Sequence, residues 1–256
     1  MNLYLNSQLT GKYTSKSQRA RVLTEQWVNE SVFCPNCGHY NVNKYPNNQP
    51  VADFYCLSCY EEYELKSKQK SIGVKIVDGA YRTMIERLQS SKNPNFFFLS
   101  YNQKSMEVID FFVIPKHFFV TEIIEKRKPL AETAHRAGWV GCNILLQNIP
   151  QSGKIFFVKD KQIKSKENVL VEWRKTLFLR DTKDTVKKGW LLDVMNCIDK
   201  LGVKEFSLCD IYRFENELED KHPNNHHIKD KIRQQLQFLR NKNYLKFTSR
   251  GKYQLR

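Results

Sequence analysis

Two sets of reactive side chains interleave between residues 34 and 66. Cys34-Pro-Asn-Cys37 and Cys56-Leu-Ser-Cys59 supply four thiols in two C-x-x-C pairs, with 18 residues between the pairs. Thiolates favour zinc in tetrahedral geometry, and two such pairs close a four-coordinate site. A closed site leaves no position for water, so the zinc expected here is structural. His39 stands beside the first pair and is not needed as a ligand. Asp53 stands just before the second pair and Glu64-Leu-Lys66 just after it. Residues two apart in a strand share a face, so Glu64 and Lys66 project together. With Asp53 on the neighbouring strand, two carboxylates suit magnesium, which keeps its waters for a substrate phosphate. Lys66 would orient or deprotonate an attacking water, or offset charge on a phosphorane. That is chemistry for hydrolysing a phosphodiester. The spacing alone is a weak signal, since an exposed alternating strand yields E-x-K for solubility; its weight comes from the elements and charge around it.

The charge points to a polyanionic partner. In 256 residues, Lys and Arg outnumber Asp and Glu by 42 to 27, for a formal charge of +15. Residues 221–256 hold ten Lys or Arg against one acid, Asp230. Like charges on adjacent elements repel, so such a run is a poor stability device and a good nucleic-acid footprint. No stretch approaches the ~20 apolar residues of a membrane span, and Met1-Asn-Leu-Tyr-Leu-Asn6 lacks the pattern of a secretory signal. The expected compartment is a bacterial cytoplasm. There, seven cysteines argue for metal ligation and reduced thiols, with Cys142, Cys197 and Cys209 packing.

The elements that must hold these residues follow from periodicity. Ala20, Val22, Leu23, Trp27 and Val28 stripe a helix over 16–29. A turn-rich loop over 41–48 precedes two short strands, 51–55 and 62–67. A helix over about 79–88 follows, then buried strands at 95–101 and 108–114. A short helix is expected at 123–128 and a strand at 154–158. Helix, hairpin, helix, strand, strand make an α/β sandwich around a mixed sheet. The polar run 180–189 marks a boundary, with domains expected at 1–181 and 182–256. Beyond it, Trp190, Leu191, Val194, Met195, Ile198 and Leu201 stripe one helix, and Ser207-Leu-Cys-Asp210 resembles a capping box opening a second. A third spans about 225–241, and 244–255 reads as a hairpin with Gly251 at its turn. Three helices and a basic hairpin make a winged helix-turn-helix, whose third helix would read the major groove. Asn225, His226, Lys229, Arg233, Gln234 and Gln237 lie on that helix, with Arg250 and Lys252 in the wing for phosphate.

Pro50-Val-Ala-Asp53-Phe-Tyr-Cys56, Glu64-Leu-Lys66-Ser-Lys68, Asn93-Pro-Asn-Phe-Phe-Phe-Leu99, Arg136-Ala-Gly-Trp-Val-Gly-Cys-Asn143 and Lys231-Ile-Arg-Gln-Gln-Leu236 together resemble the DpnI family of methyl-directed type II restriction endonucleases. The resemblance covers essentially the whole chain. It implies a PD-(D/E)XK nuclease core with an inserted zinc site, joined to a winged helix. It also implies cleavage of both strands of double-stranded GATC sites carrying adenine methylation. Asp53, Glu64 and Lys66 fall on the family's catalytic positions. Ala52 precedes Asp53 where the wider superfamily often has Pro, and Pro50 lies three positions upstream. A methyl on the adenine amine offers an apolar surface in the major groove. Trp139, between Gly138 and Gly141, is the candidate for contacting it, against the competing reading of a core tryptophan. The chain is expected to act as a monomer with catalytic Mg2+ and structural Zn2+. The rival is a zinc-containing winged-helix transcription factor, which would not need Asp53, Glu64 and Lys66. A repair or junction nuclease would share those three without the methyl dependence.

Overall fold

The computed structural model describes residues 1–11, 13–46, 52–90, 93–182 and 184–256. Asn47 and Asn48 of the expected loop, Pro50 and Val51 ahead of Asp53, and Lys183 of the expected boundary lie outside the described residues. The chain divides into two compact units, Met1–Gln147 with Ser152–Thr176, and Asn148–Gln151 with Leu177–Arg256.

In the first unit a helix α1 (Lys16–Ser31) precedes strands β1 (Asn43–Lys44), β2 (Phe54–Tyr55), β3 (Glu62–Gln69) and β4 (Lys75–Ala80). Helix α2 (Tyr81–Gln89), strands β5 (Asn95–Asn102), β6 (Glu107–Ile114), β7 (Ile124–Lys126), β8 (Gly141–Leu145), β9 (Ile155–Lys159) and β10 (Gln162–Ile163), and helix α3 (Lys166–Thr176) follow. Seven strands form one sheet in the order β1-β2-β3-β5-β6-β9-β10. Among the described residues only the β3–β5 pair in it is parallel, which requires the crossover that α2 supplies. A smaller sheet runs β4-β8-β7.

The core is aromatic, and it explains why β5 is apolar at every position from Phe96 to Leu99. Phe97 stacks on Tyr63 at 4.5 Å and meets Phe111 at 5.1 Å; Trp27 of α1 meets Phe111 edge-on at 5.2 Å. On the alternate face Phe98 stacks on Phe112 at 5.1 Å, and Phe112 meets Phe156 at 4.9 Å. A central strand buried on both faces reads as a continuous apolar run. Glu64 and Lys66 stand opposite Phe96 and Phe98 in the β3–β5 register, so they share that second face.

The segment expected as a helix at 123–128 differs. A 3-10 turn, Thr121–Ile123, leads into β7, whose three residues pair with β8 and are too few to show a period. Helix α3, not anticipated, buries Val169, Trp173 and Thr176 at helical spacing. Trp173 Nε1 donates to Asn36 Oδ1 at 2.9 Å, and the buried His117 places Nε2 3.0 Å from Thr176 Oγ1.

The second unit holds α4 (Thr185–Leu201), β11 (Glu205–Ser207), α5 (Leu208–Tyr212), α6 (Glu215–Lys221), α7 (Ile228–Asn241), β12 (Leu245–Ser249) and β13 (Lys252–Leu255). Asp184 caps α4 by accepting from Lys187 N at 3.1 Å, and Gly202 ends it at φ +66. Ser207 and Asp210 form the reciprocal capping box of α5. The expected second helix is in fact two, broken at Arg213–Phe214. Trp190, Leu191, Val194, Met195 and Ile198 pack with Ile211, Leu218, Ile232, Leu236 and Leu239 as the buried core. The three strands pair in the order β11-β13-β12, and the β12–β13 turn carries Gly251 at φ +71. Cys142 and Cys197 are buried as expected, but Cys209 of α5 is exposed. No described helix is long and apolar enough to cross a membrane.

Candidate active site and metal centre

Two matching turns build the cysteine cluster. Gly38 N donates to Cys34 O at 2.8 Å and Tyr60 N donates to Cys56 O at 2.9 Å. The residue after each pair takes positive φ, +79 at Gly38 and 57 at Tyr60. A Cβ on Gly38 would also lie 3.2 Å from Leu170 Cδ1, so this turn has both conformational and steric reasons for glycine. The four sulfurs lie within 4.8 Å of one another, with Cys34 to Cys59 at 3.5 Å and Cys37 to Cys56 at 3.6 Å. A tetrahedron with Zn–S bonds of about 2.3 Å has edges of about 3.8 Å, so the cluster could hold zinc. Burial pushes the Cys34 and Cys59 thiols up, a cost that a bound cation relieves. Tyr63 OH lies 3.1 Å from Cys34 Sγ, which ties the cluster directly to β3.

The carboxylates are set by the β2–β3 hairpin around that cluster. Asp53 N donates to Tyr63 O at 3.0 Å, and Asp53 Oδ2 accepts from Leu65 N at 2.7 Å. That amide lies between Glu64 and Lys66 in the chain, so all three candidates converge at one strand segment. Lys66 Nζ donates to Glu64 Oε1 at 2.5 Å and also to Asp78 Oδ1. Arg87 of α2 donates to Glu64 Oε2 at 3.0 Å. The side chains of Glu64, Lys66 and Asp78 are only 16%, 18% and 7% exposed. Burial raises the Asp53 and Glu64 carboxyls above their ordinary values, against the Leu65 amide in the first case and the Lys66 charge in the second. Burial alone would make Lys66 easier to deprotonate, but the Glu64 and Asp78 charges outweigh it and hold the lysine above its usual range. Glu25 of α1 is bracketed by Arg21 and Lys44, each at 2.6 Å, in a recess that Asp53 also lines. The sequence reading missed Asp78, Arg87 and Glu25. Arg87 and Glu25 carried no spacing signal at all; Asp78 was readable only as the inward neighbour, two positions on, of buried Ile76.

Trp139 sits half-buried in the loop between β7 and β8, which closes on itself through Leu130 N to Trp139 O at 2.9 Å and Gly138 N to Leu130 O at 3.1 Å. The Arg136 guanidinium lies 4.7 Å from the centre of its ring. A Cβ on Gly141 would come within 2.8 Å of the same ring, so glycine there lets the indole lie against the chain.

In the second unit, α7 starts at Ile228, so Asn225 and His226 precede the helix and do not lie on it. Asn225 Oδ1 instead accepts from His227 N at 2.9 Å and shapes the entry turn. Lys229, Arg233, Gln234 and Gln237 are exposed along the helix. Lys229 pairs with Glu215 at 3.0 Å, while Arg233 donates to the Tyr212 hydroxyl and to Asp230. Arg250 and Lys252 are exposed at the β12–β13 turn.

Family models match both parts of the chain. One described as DpnI, Dam-replacing family, matches residues 1–182, and one described as the Dam-replacing HTH domain matches residues 186–255. An HTH domain supports DNA binding by the second unit. With the first match alone spanning well over half of its length, this chain belongs to the DpnI, Dam-replacing family.

Proposed function

We propose that this chain is a magnesium-dependent restriction endonuclease that hydrolyses both strands of double-stranded DNA at GATC sites methylated on adenine. Asp53, Glu64 and Lys66 form its PD-(D/E)XK site, Cys34, Cys37, Cys56 and Cys59 hold a structural zinc, and residues 182–256 bind DNA. The observation that carries the reading is the Asp53 carboxylate on the Leu65 amide, which draws a second acid to the strand bearing Glu64 and Lys66. Their oxygens are hard donors that fit magnesium. When bound, that ion supplies positive charge to the already anionic phosphate. Lys66 offsets charge developing on the phosphorane and orients the attacking water. Family membership supports the methyl dependence. Trp139, half-buried in the loop between β7 and β8, presents the apolar surface for the methyl group.

The test is a magnesium digest of one plasmid prepared with and without adenine methylation. Discrete fragments should appear from the methylated plasmid alone and vanish in Asp53→Ala. Trp139→Ala should cut with weakened preference for the mark. Tight DNA binding without cutting of either plasmid would move the chain to the transcription-factor reading.

A further inference from the structure

We infer that Asp78 is a positioning residue for Lys66, an inference that rests on the nuclease reading above. Asp78 reaches Lys66 from the smaller sheet, whereas Glu64 shares Lys66's own strand. β4 pairs with β8 in regular register from Lys75 to Asp78 and then shifts between Asp78 and Ala80. A bulge locally bends and twists its strand, and bulges recur beside active sites because they re-aim a side chain. Asp78 stands at the last regular pair before this one, opposite Cys142, with its carboxylate turned inward and 7% exposed.

The geometry also says why a second carboxylate is needed. Glu64 has both oxygens engaged, Oε1 by Lys66 and Oε2 by Arg87. If Glu64 turns to a divalent cation, its hold on Lys66 loosens. A lysine has four rotatable carbons and a point charge, so an unanchored ammonium wanders. Asp78 keeps the ammonium in place while Glu64 is occupied. The quartet Glu64, Lys66, Asp78 and Arg87 is also balanced in formal charge, two of each sign, so the lysine is held without a buried excess.

The test uses the full-length zinc-bound protein, a methylated GATC duplex and a magnesium titration. Asp78→Asn should lower kcat by about 100-fold, as for loss of a catalytic electrostatic contact. KM and magnesium half-saturation should stay at the wild-type values, while the thermal midpoint falls because the Lys66 ammonium loses a buried counter-charge. In a Lys66→Ala background the same substitution should cost little more, because the two residues act as one unit. Wild-type kcat in Asp78→Asn, or a fully additive loss in Lys66→Ala, overturns the inference. A several-fold rise in the magnesium required also overturns it, by making Asp78 a metal ligand. If Asp78→Asn does not fold, Asp78→Glu replaces it, and the same fall in kcat at unchanged KM is expected. A wild-type protein that cuts nothing overturns the nuclease reading itself, and this inference falls with it.

Discussion

Asp193 shows how far one carboxylate can matter outside the candidate active site. It lies on α4, 2.6 Å from Lys221 and 2.9 Å from His222, whose ring stacks on Trp190 with centres 3.7 Å apart. Burial alone would raise this carboxyl, but the His222 and Lys221 contacts outweigh it and hold it below the ordinary aspartate value. The folded state therefore binds this proton less tightly than the unfolded chain. Its stabilisation is complete above the unfolded value, about pH 4, and is lost as pH falls through the lower folded value. Asp193→Asn should cost about 2 kcal/mol at pH 7, the scale of charged hydrogen bonds, and close to nothing once the wild-type carboxyl is protonated. Unfolding of both proteins at pH 7 and in strong acid measures this; an equal gap at both pH values sinks it. At this scale the sequence was legible where chemistry is local. The three residues 53, 64 and 66 belong to one hairpin, so spacing and strand alternation put them together. Asp78 and Arg87 arrive from β4 and α2, and only the tertiary register of those elements could reveal them.

Elements were legible in proportion to their length and burial. The helix with Trp27, the strands with Phe96 to Leu99 and Phe111 to Ile114, and the capping box at Ser207 each carry several agreeing signals. The smaller sheet carries few. β4 alternates in burial, but apolar Val77 is 58% exposed and the inward position beside it is the polar Asp78, so its sequence shows no apolar alternation. Helix α3 did carry a readable stripe, Val169, Trp173 and Thr176, that the sequence reading passed over. That helix bears on the hairpin through Trp173 and Asn36, which lies inside the first C-x-x-C. The cysteine cluster is thus the point where α3, β3 and the turn before Glu62 meet. Stripping zinc with a strong chelator under reducing conditions should lower the thermal midpoint by many degrees, since binding energy at such sites is folding energy. Cutting should also fail with magnesium in excess, because Asp53 and Glu64 flank the turn that a zinc on the four cysteines would close, and should return when zinc is restored. An unchanged midpoint with full cutting in the zinc-free protein would remove the structural role.

Across the whole molecule, the formal charge of +15 sets a term that no single contact controls. Each phosphate neutralised releases counterions, so affinity falls with salt at a slope of about 0.9 per contact on duplex DNA. Contacts to base edges carry sequence information and release few counterions. The exposed residues of the second unit divide on this basis. Arg250 and Lys252 stand at the β12–β13 turn, which suits the backbone, while Gln234 is exposed on α7, where it could face base edges. Lys229 and Arg233 are already engaged by Glu215 and Asp230, so their release to DNA gives back part of an existing pair. Replacing Arg250 and Lys252 together by Ala should therefore reduce the salt slope by about 2, and should weaken methylated and unmethylated duplexes alike. Gln234→Ala should leave the slope unchanged and narrow the gap between a GATC duplex and a scrambled one. Binding isotherms over a series of salt concentrations, with calcium replacing magnesium to block cutting, separate the two. A slope that shifts with Gln234 and not with the wing pair would exchange the roles of helix and wing.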